Sequence, residues 1–342
     1  FKKEAIEFSF EFLTKILKIP KEKLAISVFN GETNKENFPK KLDEESYNLW
    51  SSLKIPKERI ILITNNWWGP AGETGPCGPD TEMFCWIGKG NPPKEFDPNN
   101  KNWVEIWNDV FMEYEKNKNG EYPKAKQKNV DTGMGVERTL AVLNNLDDNY
   151  LTDCFKPIIE RIEKLSGKKY KGNERTMRII SDHLKASVFI IADGIVPGNK
   201  EQGYILRKLI RLAIRQGKKM GLENFTSKIA EPIFKIYDDY EHLQKNKKHI
   251  SKELEKEEEK FNLTLEKGLK EIKKMSWERS IHKKISGKEA FLLYQSYGFP
   301  IEMIKEVAIE TGTEVDEKGF EQELKKHQEL SKTASAGKFK SG

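Results

Sequence analysis

The segment at residues 130–143 has the residue types and spacing of an anion-binding site. It places Asp131 at the end of a predicted strand, then two glycines, Gly133 and Gly135, and then Arg138 in the opening turn of a predicted helix. A helix N-terminus presents free backbone N–H groups, and a guanidinium beside them can hold an anion. Glycine turns between a strand and a helix are also common in purely structural roles, so the arginine is what favours an anion site.

The segment at residues 65–82 has the composition of a rigid ligand-binding loop. It contains four glycines, three prolines and the adjacent Trp67 and Trp68. Glycine lets the backbone approach a ligand closely, and tryptophan rings supply flat apolar walls. An ordinary surface loop is the alternative, although surface loops seldom combine paired tryptophans with such turn chemistry.

A third candidate is Asn108, inside a predicted strand. Alternation along the strand places its side chain on the same face as Ile106, Val110 and Met112, among apolar neighbours. A buried amide needs hydrogen-bond partners, which can be structural groups or a polar ligand. The residues alone favour the structural role.

The basic residues are concentrated in one stretch. Residues 172–221 carry ten Lys or Arg and four Asp or Glu, whereas the whole chain of 342 residues has a net charge of +6. Arg207, Arg211 and Arg215 recur every four residues, next to Lys208, which predicts a helix with one basic face. Such a face is usually an ordinary solvated surface, and contact with a phosphate backbone is the alternative.

Hydrophobic periodicity indicates which elements carry these residues. The first part is predicted to mix helices, at 1–20 and 44–53, with strands, at 24–29, 59–64, 103–114 and just before Val130. The second part is predicted to be nearly all helix, with helices at 175–192, 202–220, 227–240 and 249–275. Within the last of these, the charged run 252–260 is expected to be a solvated helix face without a function.

The chain exceeds the size at which one compact core is usual, so we expect two domains. They are predicted at residues 1–150 and 151–330, and the small, polar segment 331–342 is predicted to be a linker. The chain begins with Phe1 and lacks the layout of a signal peptide, so we expect that it starts within a longer protein.

Composition excludes several classes of protein. Three cysteines cannot build a disulfide framework, none belongs to a CxxC pair, and the histidines are scattered, so neither a secreted disulfide scaffold nor a zinc site is expected. No apolar run approaches the roughly 20 residues that cross a bilayer, so no membrane partner is expected. We expect a cytoplasmic protein.

Seven short motifs together resemble the alanyl-tRNA synthetase family. They cover nearly the whole chain, and seven in the family's order make coincidence very improbable. In sequence letters they are ETGPCGP at 73–79, EIWN at 105–108, DTGMGVER at 131–138, ISDH at 180–183, ADG at 192–194, GYILRK at 203–208 and LYQSYGFP at 293–300.

The resemblance implies an α+β fold of the class II synthetase type. A partial antiparallel sheet with flanking helices forms the aminoacylation domain, and an all-α region that binds the acceptor stem of tRNA(Ala) follows. The expected activity is ATP-dependent activation of L-alanine and its transfer to tRNA, with Mg²⁺ accompanying the ATP.

The resemblance also assigns residues. Segment 131–138 is similar to motif 3, so Arg138 and Gly135 are expected at the ATP triphosphate and Asp131 at the alanine ammonium. Asn108, Gly133 and Trp68 are expected to complete the alanine pocket.

Other parts of the family's pattern are not found in this sequence. Motifs 1 and 2, which include an arginine for the α-phosphate, are expected upstream of Phe1, and the zinc-binding editing domain is expected downstream of Gly342. The chain alone is therefore expected to be catalytically incomplete.

In the helical part, Asn199 matches the asparagine that the family uses on the acceptor-stem G·U wobble pair. Gln295 stands where the family has an aspartate; its carbonyl can still accept a hydrogen bond, but it lacks the negative charge. The local basic excess and the resemblance together favour phosphate contacts by Arg207, Lys208, Arg211 and Arg215.

Three functions remain open at this point. The first is an alanine–tRNA ligase. The second is a tRNA-binding module without its own adenylation activity. The third is a generic ATP-binding protein, which the acceptor-stem motifs disfavour.

Overall fold

The computed structural model describes residues 1–31, 38–39, 41–277 and 284–338, and their side chains except those of 276–277 and 330–338. The chain divides into two compact units, Phe1–Cys154 and Phe155–Gly342. The first unit is built around a sheet and the second is almost entirely helical.

The first unit contains a six-stranded sheet. Its strands are β1 (Leu24–Phe29), β2 (Ile60–Ile63), β3 (Trp67–Trp68), β4 (Gly75–Trp86), β5 (Trp103–Lys116) and β6 (Lys124–Met134). The strand order is β2–β1–β4–β5–β6, with β3 paired to β4. Only β1 and β2 are parallel among these pairs, and the others are antiparallel. The predicted antiparallel sheet with flanking helices is confirmed.

Helices cover one face of this sheet. They are α1 (Lys2–Glu11), which continues as a π-helical turn to Ile16, and α2 (Glu44–Ser52). Their apolar sides form a core with Leu24, Ile26 and Met83 from the strands. Trp50 of α2 is fully buried, and its indole N–H donates to Thr81 Oγ1 at 2.9 Å, so this buried donor is paired.

The predicted loop at 65–82 is wrong in its second half, because β4 begins at Gly75. Glycine and proline suggested a loop, but here they sit beside a bulge in the pairing of β4 with β5, between Cys77 and Asp80. A Cβ on Gly78 would lie 1.8 Å from the carbonyl oxygen of Phe111. Glycine at this position therefore permits the close approach of two strands rather than of a ligand.

In its described residues, the second unit consists of helices and one small parallel pair of strands. The helices are α4 (Lys156–Ser166), α5 (Glu174–Ala192), α6 (Glu201–Lys219), α7 (Thr226–Ile236), α8 (Glu241–Trp277), α9 (Gly287–Tyr297), α10 (Ile301–Glu310) and α11 (Glu317–Lys338), and they follow α3 (Val136–Leu143) of the first unit. The strands are β7 (Lys284–Ile285) and β8 (Glu314–Val315). None of the described helices is long and apolar enough to cross a membrane.

The run 252–260 was expected to be mostly a solvated face, and most of its charged residues are exposed, but Glu257 and Glu258 on α8 are buried. Glu258 accepts hydrogen bonds from the backbone N–H groups of Phe225 and Thr226 at the start of α7. A carboxylate at a helix N-terminus satisfies otherwise unpaired donors and favours the helix dipole. The i, i+4 charge pattern gave no sign of these distant partners.

The segment at 331–342 was predicted to be a linker, but α11 continues through it to Lys338. Alanine, serine and lysine at these positions are compatible with helix, so their small size alone did not indicate a coil. Residues 339–342 lie outside the described part of the chain.

Candidate functional site

One face of the sheet is lined with polar side chains. Across the strands, Ser27 pairs with Glu82, Glu82 with Asn108, and Asn108 with Gly133. One step further along the strands, Asp80 pairs with Val110 and Val110 with Asp131. Residues directly opposite each other in a sheet point to the same side. We call the face formed by Ser27, Asp80, Glu82, Glu105, Asn108, Val110, Asp131 and Gly133 the polar face.

The surroundings of Asn108 differ from the expected apolar set. Met83 pairs with Trp107 and Phe84 with Glu105, so β5 has one extra residue at Ile106. This bulge turns Ile106 into the apolar core. Asn108 is instead in reach of Glu105, with 3.5 Å between Nδ2 and Oε1.

Gly133 and Asp131 lie on the exposed edge strand β6. A Cβ on Gly133 would meet Asn108 Oδ1 at 3.8 Å, an ordinary contact distance, so the backbone does not require glycine there. The missing side chain instead leaves open space beside the Asn108 amide. Asp131, two residues away on the same face, adds a solvent-exposed carboxylate.

Arg138 lies in the first turn of α3, as predicted. Its guanidinium donates to the Glu105 carbonyl oxygen at 3.1 Å and to Glu105 Oε2 at 3.2 Å. Gly135 is the residue that precedes this helix. Half of the Arg138 side chain remains exposed, so the structure places a positive charge and a helix N-terminus beside the polar face.

Two carboxyl groups of the polar face were missed by the sequence analysis. Glu82 accepts a hydrogen bond from Ser27 Oγ at 2.7 Å, and burial raises its pKa. Asp80 is 8% exposed, and its Oδ1 has no hydrogen-bond partner among the residues that the structure describes. Burial, then repulsion from Glu82 and Glu105, raises the pKa of Asp80 to about 8, so this group is largely protonated at neutral pH.

Trp68 approaches from β3, which pairs with β4 around Gly78. Its indole is 38% exposed, whereas Trp67 packs against Phe29 and Tyr114. The two adjacent tryptophans therefore differ: Trp67 packs in an aromatic cluster, and Trp68 is partly exposed.

The second unit contains a groove of about 930 Å³. Several site candidates line it together: Asn199, Arg207, Lys208, Arg211 and Gln295. Asn199 and Gln295 are exposed, although almost a hundred residues separate them in the sequence. Helix α6 supplies the arginines, and α9 supplies Gln295. The structure thus brings the two predicted base-reading residues to one groove.

Two of the predicted phosphate contacts are corrected by the structure. Arg211 is 6% exposed and binds Glu257, and Arg215 is 3% exposed and binds Glu306 and Glu310. A helix-spaced row of arginines looked like a basic face, but the acidic partners come from α8 and α10. Lys208 also has a partner, Glu302 at 3.0 Å, although its side chain remains partly exposed.

The described residues contain no cluster of three or more His, Cys, Asp or Glu side chains that could hold a metal ion. Mg²⁺ bound together with ATP, without a cage of protein carboxylates, stays a prediction. An ion that accompanies ATP takes most of its ligands from phosphate oxygens and water, which requires no such cage.

Comparison with known proteins gives a consistent result. Residues 1–341 match the family model described as tRNA synthetases class II (A). The chain is 46% identical over 355 residues to an alanine–tRNA ligase of Borrelia hermsii, and 47% identical over 357 residues to one of Treponema denticola. Each alignment covers 100% of this chain and 59% of the relative.

A ligase of Petrotoga mobilis is 40% identical over 355 residues, which are 98% of this chain and 38% of that protein. The chain thus spans about three-fifths of the length of the Borrelia and Treponema relatives, and a smaller share of this one.

Proposed function

Because this chain belongs to the class II (A) tRNA synthetase family, we propose that it is the part of an alanine–tRNA ligase that binds alanine and ATP and meets the acceptor stem of tRNA(Ala). The proposed reaction is the activation of L-alanine by ATP to alanyl-adenylate, followed by transfer of alanine to the 3′ end of the tRNA. The matched relatives are alanine–tRNA ligases, which supports this choice.

The observation that carries the proposal is the pairing of Asn108 with Gly133 next to the exposed Asp131. A carboxylate and an amide, next to the free space that a glycine leaves, can bind a small amino acid. Asp131 pairs with the alanine ammonium, Asn108 offers a hydrogen bond, and Gly133 leaves room for the substrate. Trp68 is the proposed wall of the methyl pocket.

Arg138 is proposed to contact the ATP triphosphate, together with the backbone around Gly135 at the start of α3. Its charge would offset the repulsion between the alanine carboxylate and the α-phosphate. One carboxylate oxygen then forms a bond to the α-phosphorus, and the bond to pyrophosphate breaks. This step requires positioning and charge stabilisation, and no general base.

The groove of the second unit is proposed to bind the acceptor stem. Asn199 and Gln295 are the candidates for contact with base edges, which specify sequence, whereas cationic side chains position the backbone. Arg207 and Lys208 line the same groove and keep part of their side chains exposed.

A second candidate function is a tRNA-binding module that cannot make the adenylate alone. Arg138, the proposed triphosphate contact, is paired with Glu105, whereas Asn199 and Gln295 in the groove are exposed. The catalytic incompleteness of the 342-residue chain stays a prediction. A cytoplasmic location also stays a prediction.

Alanine-dependent exchange of pyrophosphate into ATP separates the two functions. We expect the enzyme encoded by the gene that contains this chain to show exchange with alanine, and the 342-residue chain alone to show very little. Robust exchange by the chain alone would remove the module as a candidate. Absence of alanine-dependent exchange in the encoded enzyme would contradict the ligase.

A further inference from the structure

The two proposed base-reading residues sit on different elements of the groove, and a buried carboxylate connects both. Asn199 precedes α6, and Gln295 lies near the end of α9. Between them, Glu257 of α8 has a side chain that is only 5% exposed. Its Oε1 faces the guanidinium groups of both Arg207 and Arg211.

Arg207 connects this carboxylate to the Asn199 side. Its Nε lies 3.5 Å from Glu257 Oε1, and its Nη1 donates to the Asn199 side-chain oxygen. Its Nη2 also donates to the Pro197 carbonyl oxygen at 3.3 Å. The Asn199 oxygen accepts from Arg207, and the Asn199 amino group can donate to a ligand.

Arg211 connects the same carboxylate to the Gln295 side. Its Nε donates to Glu257 Oε1 at 2.6 Å, and its Nη1 donates to the Gly298 carbonyl oxygen at 2.6 Å. Gly298 ends α9 in the left-handed conformation, three residues after Gln295. A Cβ on Gly298 would lie 1.9 Å from Arg211 Nη1, so glycine there admits the guanidinium.

We propose that Glu257 is a positioning residue that sets the spacing of Asn199 and Gln295 through Arg207 and Arg211. The ligand is the base-paired end of an RNA helix, whose edge must meet both residues at once. The buried carboxylate hydrogen-bonds the Arg211 guanidinium and attracts the Arg207 guanidinium at 3.5 Å, so it orients one arginine on each side of the groove. This inference rests on the proposed function of the groove.

The test is the ratio of charging efficiency, kcat/KM, between a tRNA with the G·U wobble pair and one with a Watson–Crick pair at that position. In the enzyme encoded with this chain, Glu257→Gln should lower this ratio by about tenfold, because the neutral amide no longer orients two guanidinium groups. A residue with only a structural role would change both efficiencies equally and leave the ratio unchanged.

Glu258→Gln is the matched control. Glu258 is the next residue on α8 and is also buried, but it binds the N-terminus of α7 instead of the groove arginines. This variant should have a lower free energy of unfolding and an unchanged ratio of charging efficiency between the two tRNAs. If the two variants changed the ratio to the same extent, or if neither changed it, the positioning role would be wrong.

Two further variants cover the remaining outcomes. Arg207→Met should lower the ratio through Asn199 even if Glu257→Gln does not fold, and an unchanged ratio in this variant would overturn the proposal. Asn199→Ala tests the groove itself. A normal ratio in Asn199→Ala would overturn base readout and the positioning role together, whereas a reduced ratio in Asn199→Ala alone would overturn only the latter.

Discussion

Asn108 lies directly opposite Gly133 across β5 and β6, and a Cβ at Gly133 would come within 3.8 Å of Asn108 Oδ1. The distance is compatible with a folded chain, but the added methyl group would occupy the open space beside the amide. A methyl group at position 133 is thus compatible with the fold, but it would fill space in the proposed alanine pocket.

Gly133→Ala should therefore affect binding and not folding. We expect the KM for alanine in pyrophosphate exchange to rise by about tenfold, and the free energy of unfolding to change by less than about 0.5 kcal/mol. Gly78→Ala is the control, because a Cβ there would collide with the Phe111 carbonyl oxygen at 1.8 Å. That variant should lose about 2 kcal/mol or more in urea denaturation. Equal stability loss in both variants would contradict the prediction.

The buried carboxyl of Asp80 should make stability depend on pH. Its pKa rises from 3.8 to about 8 in the folded protein, so between these values the folded state keeps a proton that the unfolded state has released. The free energy of unfolding should therefore fall as pH rises from about 4 to about 8. Asp80→Asn keeps the shape without the ionisation and should gain on the order of 5 kcal/mol at pH 9.

Urea denaturation at pH 5 and pH 9 measures this effect. The gain in stability of Asp80→Asn over the parent should be several kcal/mol larger at pH 9 than at pH 5. An equal difference at both pH values would show that Asp80 does not titrate in this range.

Asn199→Ala should reduce discrimination at the wobble pair. A base-edge contact accounts for about 1–3 kcal/mol of discrimination, so charging of the G·U tRNA should weaken while charging of a Watson–Crick variant changes little. Steady-state charging of both tRNAs measures the ratio of their charging rates.

Gln295→Asp should change this ratio in the opposite direction, because a carboxylate is a stronger acceptor for a guanine amino group.

Arg211→Ala should mainly destabilise the protein, because it leaves the buried Glu257 without its closest partner. A loss of about 3 kcal/mol is expected in urea denaturation. The salt dependence of tRNA binding should stay the same. By contrast, Lys200→Ala removes an exposed cation that lines the groove and should reduce the slope of log K against log salt by about one. If Arg211→Ala also reduced this slope, Arg211 would contact phosphate after all.

The sequence alone was sufficient for the elements with clear periodicity. Strand β1 consists of apolar and β-prone residues and was predicted with its observed bounds, Leu24–Phe29. Helices α5 and α6 have strong apolar stripes and were predicted to within one residue at each end. In such elements local preference and tertiary packing favour the same structure.

The features that were missed depend on long-range contacts. The partners of Arg215 are Glu306 and Glu310, which lie more than ninety residues away in the sequence, so an exposed basic face and an internal ion pair have the same local pattern. The bulge at Ile106 reverses the face of one residue, which no alternation rule predicts. The burial of Asp80 likewise follows from pairing across the sheet.

The central claim is that Asp131 binds the ammonium of alanine while Arg138 binds the triphosphate of ATP, and pyrophosphate exchange by variants of the encoded enzyme tests it most directly. Asp131→Asn should raise the KM for alanine by at least about tenfold and change the KM for ATP little, because only the charge facing the ammonium is lost. Arg138→Ala should do the reverse. If each variant changed both KM values to the same extent, the separate roles of these two residues would be contradicted.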